Sequence, residues 1–109
     1  MTLLNLTDVT LVCVDTVNPD LALRAMRRCQ ASAQFARSLL FTDRPIEASG
    51  IEIIQVDGVD DIAAYSRFVL KSLTPHIHTT HALLVQWDGF IIHPSMWRDE
   101  FLSYDYIGA

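Results

Sequence analysis

Two hydrophobic periods alternate along the chain. Residues 9–15, Val-Thr-Leu-Val-Cys-Val-Asp, make a β-branched and nearly continuous apolar run that ends at an acid. Runs of that kind suit a strand covered on both faces. The period then lengthens. Ala22, Ala25, Met26 and Cys29 fall on one stripe at helical spacing, and this predicts a helix from Pro19 to about Ser32. Asn18 stands at the capping position, Pro19 at the first helical position and Asp20 at the positive end of the helix dipole. Residues 36–42 predict a second strand, stopped by Asp43-Arg44-Pro45. After a Ser49-Gly50 turn, residues 51–56 alternate only in part, as a strand at a sheet edge does. Asp57-Gly58 is the next turn. Asp60-Asp61 open a second helix that reaches about Thr74, with Ile62, Tyr65, Val69 and Leu73 as its inward stripe, and Pro75 ends it. Residues 82–87 predict a fourth buried strand. Asp88-Gly89 is a hairpin-type turn, residues 90–93 are a short strand, and Pro94 opens a short helix through Leu102.

The resulting order, β-α-β-β-α-β-β-α, predicts an α/β domain with a mainly parallel sheet and right-handed crossovers. Ligands of such sheets bind beyond the carboxyl ends of the strands, where the strand order switches. Three of the predicted strands end in an acid: Asp15, Asp43 and Asp88. Their convergence on one edge is the expectation on which every functional reading rests.

Composition narrows the partners. The 109 residues carry a net charge of −5, whereas nucleic-acid binders draw most of their affinity from basic side chains on phosphates. Only Arg24, Arg27 and Arg28 cluster, at the spacing of a solvated helix face. A DNA or RNA polymer is therefore disfavoured as partner. Both cysteines, Cys13 and Cys29, lie inside apolar periodic segments, so buried free thiols in a reducing, cytoplasmic setting are expected. No signal peptide is read at the start of the chain, and no integral membrane segment is expected, because apolar runs such as residues 11–14 are far short of the roughly 20 residues that a span requires.

Several residues have chemistry to offer. Asp88 follows a buried strand at a turn, where a carboxylate can project into a cleft and hold Mg²⁺ or Mn²⁺ together with substrate phosphates. The plainer alternative is an Asp-Gly turn and nothing more. Asp15 and Thr16 stand at the first crossover and could accept hydrogen bonds from a nucleobase or ribose, or could cap the following helix. Arg44 could pair with a phosphate or with its neighbour Asp43. Arg67 lies roughly 140° from the inward stripe at about 100° per residue, which makes it solvent-facing by phase alone. His76, His78 and His81 lack the i, i+4 pairing or cysteine partner of a zinc site and read as polar loop residues. Trp97, Phe101 and Tyr104 are expected to pack the last helix on the sheet. No nucleophile elbow, P-loop or dinucleotide-binding glycine fingerprint is present, and Cys13 sits in mid-strand without a base beside it.

Five stretches together carry a resemblance. They are residues 9–16, Leu40-Phe41-Thr42-Asp43-Arg44-Pro45, residues 65–71 beginning Tyr65-Ser66-Arg67, Val85-Gln86-Trp87-Asp88-Gly89-Phe90, and a C-terminal pair made of residues 97–101 and 104–109. The chain resembles, over nearly its whole length, the glycosyltransferase-like domain-of-unknown-function family 5672, which is similar to the A-type glycosyltransferase fold. The resemblance implies a three-layer αβα domain with a mainly parallel sheet, and an incomplete one, because members of the family run on past Ala109. It implies a nucleotide-sugar site centred on Gln86-Trp87-Asp88-Gly89. Asp15, Thr16, Asp43 and Arg44 would lie near the nucleotide, Tyr65 and Arg67 near the donor, and Asp88 at the position of an Mn²⁺ or Mg²⁺ ion. Where the relatives have an Asp-x-Asp pair, this chain has Gln86 and a single acid. The expected activity is transfer of a sugar from a nucleotide-sugar donor to an unknown acceptor. The alternative expectation is a non-catalytic α/β module that binds a nucleotide or a protein, or an inactive fragment.

Overall fold

The computed structural model describes residues 3–56, 64, 67–68, 71–86 and 102. These form a small α/β domain built on a four-stranded, all-parallel sheet. Strand β1 spans Leu4–Val14, helix α1 Pro19–Ser32, β2 Ala33–Thr42, β3 Glu52–Gln55 and β4 His81–Val85, with a short 3₁₀ helix at Thr74–His76. The strand order is β3-β2-β1-β4. The parallel sheet expected from the alternating pattern is what the chain adopts. The strand at residues 90–93 and the helix over residues 94–102 lie outside the described residues, apart from Leu102.

β1 is the central strand. It pairs with β2 from Leu4↔Ala33 to Val14↔Phe41 and with β4 from Val9↔His81 to Cys13↔Val85. Its middle residues Leu11, Val12 and Cys13 have no exposed surface, as a strand covered on both faces requires. Leu11 and Cys13 meet Ala22, Met26 and Cys29 of α1 together with Leu40 of β2. Val12 and Val14 point the other way and pack with Leu39, Phe41 and Leu73, joined at the margin by Phe68 and Ile77. The buried stripe of α1 is the one that the helical period predicts: Ala22, Ala25, Met26 and Cys29.

Four differences from the sequence reading have local causes. β1 begins at Leu4, five residues before the apolar run, because Leu4, Asn5 and Leu6 already pair with Ala33, Gln34 and Phe35; a register shift between Leu6 and Thr10 breaks the pattern that would have shown it. β2 begins at Ala33 instead of Ala36, since α1 passes into it with no intervening residue: Ala33 is both the extended C-cap of the helix and the first residue of the strand. Asn18 precedes α1 but makes no side-chain cap. The side chain that orders the approach to α1 is Asp15, which holds the amides of Val17 and Asn18 ahead of the helix, as described below. Lastly, Pro75 sits inside a 3₁₀ turn rather than just beyond a helix end. Most of the helix predicted over residues 61–74 lies outside the described residues, but Ala64, Arg67, Phe68 and Lys71 are helical.

Parallel neighbours normally need a crossover of a dozen residues or more, yet β2 and β3 are joined by residues 43–51 alone. The link suffices because it returns only part of the strand length: β3 pairs with Leu39 to Thr42 and no earlier residue. Ile46 and Ala48 of this link pack on the α1 side of the core. Its turn closes at Gly50, whose φ of +77° favours glycine, and an isolated bridge joins Ala48 to Ile51. Two α1 side chains pin the turn: Arg27 donates to the Ser49 carbonyl and Gln30 Nε2 to the Gly50 carbonyl at 2.9 Å. Among the described residues β3 is an edge strand, as its partial alternation predicts.

Met26 joins α1 to both β1 and β2 with no exposed surface. Met26→Ala is expected to cost about 2–4 kcal/mol of stability, read as a lower urea midpoint with an unchanged slope; a loss within about 0.5 kcal/mol would mean that α1 does not pack as described.

Candidate functional site

All four strands run the same way, so their carboxyl ends share one edge of the sheet. β2 and β3 leave β1 on one side and β4 lies on its other side. The order therefore switches at β1, and the edge position between the tips of β1 and β4 is where ligands of open parallel sheets bind. Asp15 follows the last residue of β1. Its amide donates to the Phe41 carbonyl at 2.9 Å, which fixes it beside Thr42 at the tip of β2. On the other side, Cys13 pairs with Val85, so the exposed Gln86 stands at the tip of β4.

Two of the three expected acids are thus brought to one edge. Asp43 follows Thr42 directly, and Asp15 and Asp43 cap adjacent strands. Thr16 is buried beside Asp15 and Arg44 is exposed beside Asp43. Arg67 is exposed on the segment that carries Phe68, and Phe68 meets Phe41 edge-on with ring centroids 5.2 Å apart. Tyr65, Asp88 and Gly89, and with them the proposed metal position, lie outside the described residues.

The carboxylate of Asp15 is turned onto its own loop. Its Oδ1 accepts the amides of Val17 at 2.8 Å and Asn18 at 2.7 Å. This oxygen thus holds the loop before α1 and not the first amides of the helix, so the capping role read for Asp15 is not the one it fills here. Arg44 reaches the same loop: its Nη2 donates to the Val17 carbonyl at 3.5 Å. Its Nε lies 3.9 Å from Asp43 Oδ1, too far for a hydrogen bond, and with both side chains partly exposed the pair contributes little.

A signal absent from the motif reading is the polar deficit at the tip of β2. Thr42 Oγ1 and Asp43 Oδ1 are buried without a hydrogen-bond partner. Elsewhere the buried hydroxyls are satisfied: Thr10 Oγ1 lies 2.7 Å from Thr79 Oγ1, and Ser38 Oγ accepts from Gln30 Nε2 at 3.1 Å. A polar residue at the end of an otherwise apolar run was visible in the sequence, but its lack of a partner depends on the fold.

Among the described residues no three His, Cys, Asp or Glu side chains are grouped to hold a metal. His76 packs its ring edge-on against Phe41 and accepts from Arg37 through its carbonyl, while His81 Nδ1 lies 3.0 Å from Thr80 Oγ1. A surface cleft of about 350 Å³ is lined by Gln30, Gln34, Arg37, Ser38 and Gly50 among others. It lies along the N-terminal half of β2, away from the strand tips. Both cysteines are free and buried. Burial first, then the nearby Asp15 and Cys29, pushes the Cys13 thiol up to about 12, which leaves it an inert part of the core. No helix among the described residues is long and apolar enough to cross a membrane.

Comparison with family models, with curated proteins and with solved structures finds no match to this chain.

Two measurements test this description. Thr42→Val removes the unpartnered hydroxyl and is expected to raise stability by about 1 kcal/mol in chemical denaturation; a loss instead would show that a water or another group satisfies it. The Cys13 thiol resists ionisation in the fold up to about pH 12, while a thiol released by unfolding ionises from about pH 9. Its contribution to stability is therefore complete below pH 9 and lost at about 1.4 kcal/mol per pH unit as pH rises from there. Cys13→Ala should show a shallower decline between pH 9 and 10.5 than the parent chain, and equal slopes would contradict the assignment.

Proposed function

We propose that this domain binds a nucleotide-sugar donor at the edge formed by the tips of β1, β2 and β4, as the donor-binding part of a glycosyltransferase that passes the sugar to an unknown acceptor. The observation that carries the reading is the switch in strand order at β1, with Asp15 and Asp43 on adjacent strand tips. A three-layer A-type glycosyltransferase fold belongs to the same proposal. It is supported by α1 on one face of the sheet and the helical residues Ala64, Arg67, Phe68 and Lys71, with Phe68 packed on the other.

Electrostatics favours one orientation. Asp43 lines the β1–β2 side, where a diphosphate would be repelled and a nucleoside, with its hydroxyl and N–H donors, would be accepted. The diphosphate then falls on the β4 side, beyond the neutral Gln86. Arg67, which is exposed, would be the protein's cation for the charge that develops on the departing diphosphate. Asp88 is the residue that would hold Mn²⁺ or Mg²⁺, and such an ion would supply further neutralisation of that leaving group. A second reading, a module that binds the nucleotide without transferring sugar, is favoured by the commitment of Asp15 Oδ1 to its own loop and by the neutral Gln86.

A thermal-shift screen of UDP-, GDP- and ADP-sugars with and without MnCl₂ tests the proposal. A ligand present at about 100 times its Kd adds about 2.7 kcal/mol, and at least one nucleotide sugar is expected to shift the midpoint upward. Asp88→Asn should abolish the Mn²⁺-dependent part of that shift. If none of the sugars stabilises the chain in either condition, the donor site is refuted.

A further inference from the structure

Resting on that reading of the edge, we propose that Asp15 is a positioning residue. It presets the β1–α1 loop, residues 15–18, that borders the strand-tip edge, and it acts on a donor through that loop without touching it. The loop is fixed from three directions. At its start the Asp15 amide is bonded into the sheet at Phe41. In its middle, one carboxylate oxygen holds the amides of Val17 and Asn18, while Arg44 from the β2 tip reaches the Val17 carbonyl. At its end, Pro19 opens α1 with its fixed φ, and Ala22 N donates to the Asn18 carbonyl at 3.0 Å. Val17 is 58% exposed. Val17 therefore gains little from burial, and the shape of the loop at this residue is set by these polar contacts. Arg44, which the sequence offers as a phosphate partner, contributes to the same frame.

Asn and Ala at position 15 separate shape from charge. Asp15→Asn keeps an acceptor oxygen where the loop amides need it and removes the charge, whereas Asp15→Ala removes both. Hydrogen exchange by NMR reads the loop directly. The amides of Val17 and Asn18 are expected to be protected in the parent chain and in D15N, and to exchange about fivefold faster or more in D15A. Unchanged exchange in D15A would overturn the proposal whether or not any donor binds. The second readout is the Kd for the nucleotide sugar that gives the largest thermal shift. D15N is expected to stay within about threefold of the parent and D15A to weaken by about fivefold or more. If D15N loses as much affinity as D15A while its loop amides stay protected, Asp15 acts by charge or contact, and the positioning role is refuted although the donor site stands. If no nucleotide sugar binds the parent chain, the donor site itself fails, and the exchange arm still decides what Asp15 holds. Should D15A fail to fold, Asp15→Ser, whose hydroxyl makes the same local bond more weakly, replaces it in both arms.

Discussion

The structure depends on β1 being buried on both faces while it pairs on both edges. Leu11, Val12 and Cys13 have no exposed surface, so each face of the sheet must be covered and each edge of β1 must be laddered. Helix α1 covers one face through Ala22, Ala25, Met26 and Cys29; Leu73 and its neighbours cover the other. At roughly 1.5–3 kcal/mol for each fully buried large side chain, loss of either cover would outweigh any single polar contact in the domain. The same constraint fixes direction. Parallel neighbours on both sides of β1 bring the strand tips to one edge, and Asp15 and Asp43, which follow β1 and β2, go with them.

At that edge the balance of forces changes. Along the strands the apolar side chains decide the conformation and the polar groups follow. In the β1–α1 loop Val17 is largely exposed and the conformation is held by a carboxylate on two amides and a guanidinium on a carbonyl. Such contacts depend on the acceptor and donor groups at the loop, whereas the core beneath does not. The edge is thus a responsive layer on an unresponsive base, the division of labour expected where loops carry function and a rigid scaffold positions them.

Much of this was legible in residue order. The continuous run at residues 9–15, the stripe on α1 and the partial alternation of β3 each report burial, and burial is what hydrophobic pattern encodes. The shared edge of Asp15 and Asp43 followed from the parallel connection. What escaped has a common physical origin. The early start of β1 at Leu4 is hidden by a register shift, and the seamless passage from α1 to β2 at Ala33 leaves no turn residue to mark it. Asn18 makes no side-chain cap, and the loop before α1 is held instead by Asp15, which reaches it from the strand. A side chain's local propensity names a role it can fill, and the fold decides which of several candidates fills it. For the same reason Asp15 and Arg44 were legible as polar groups at the site, while the loop they hold was not.

The distribution of unpartnered polar atoms separates the two ends of the sheet. In the body of the sheet, buried Thr10 and Ser38 both have partners. At the tip of β2, Thr42 Oγ1 and Asp43 Oδ1 have no hydrogen-bond partner, and a buried hydroxyl left that way costs on the order of 1–3 kcal/mol. An apolar residue at position 42 would avoid this cost and continue the run that Leu39, Leu40 and Phe41 begin. The sequence places a threonine and an aspartate there instead, next to the switch in strand order. Stability alone favours an apolar side chain at position 42, at the end of a well-packed strand. Unfavourable local choices of this kind concentrate at working sites, and both of these atoms lie at the edge of the sheet where the strand order switches.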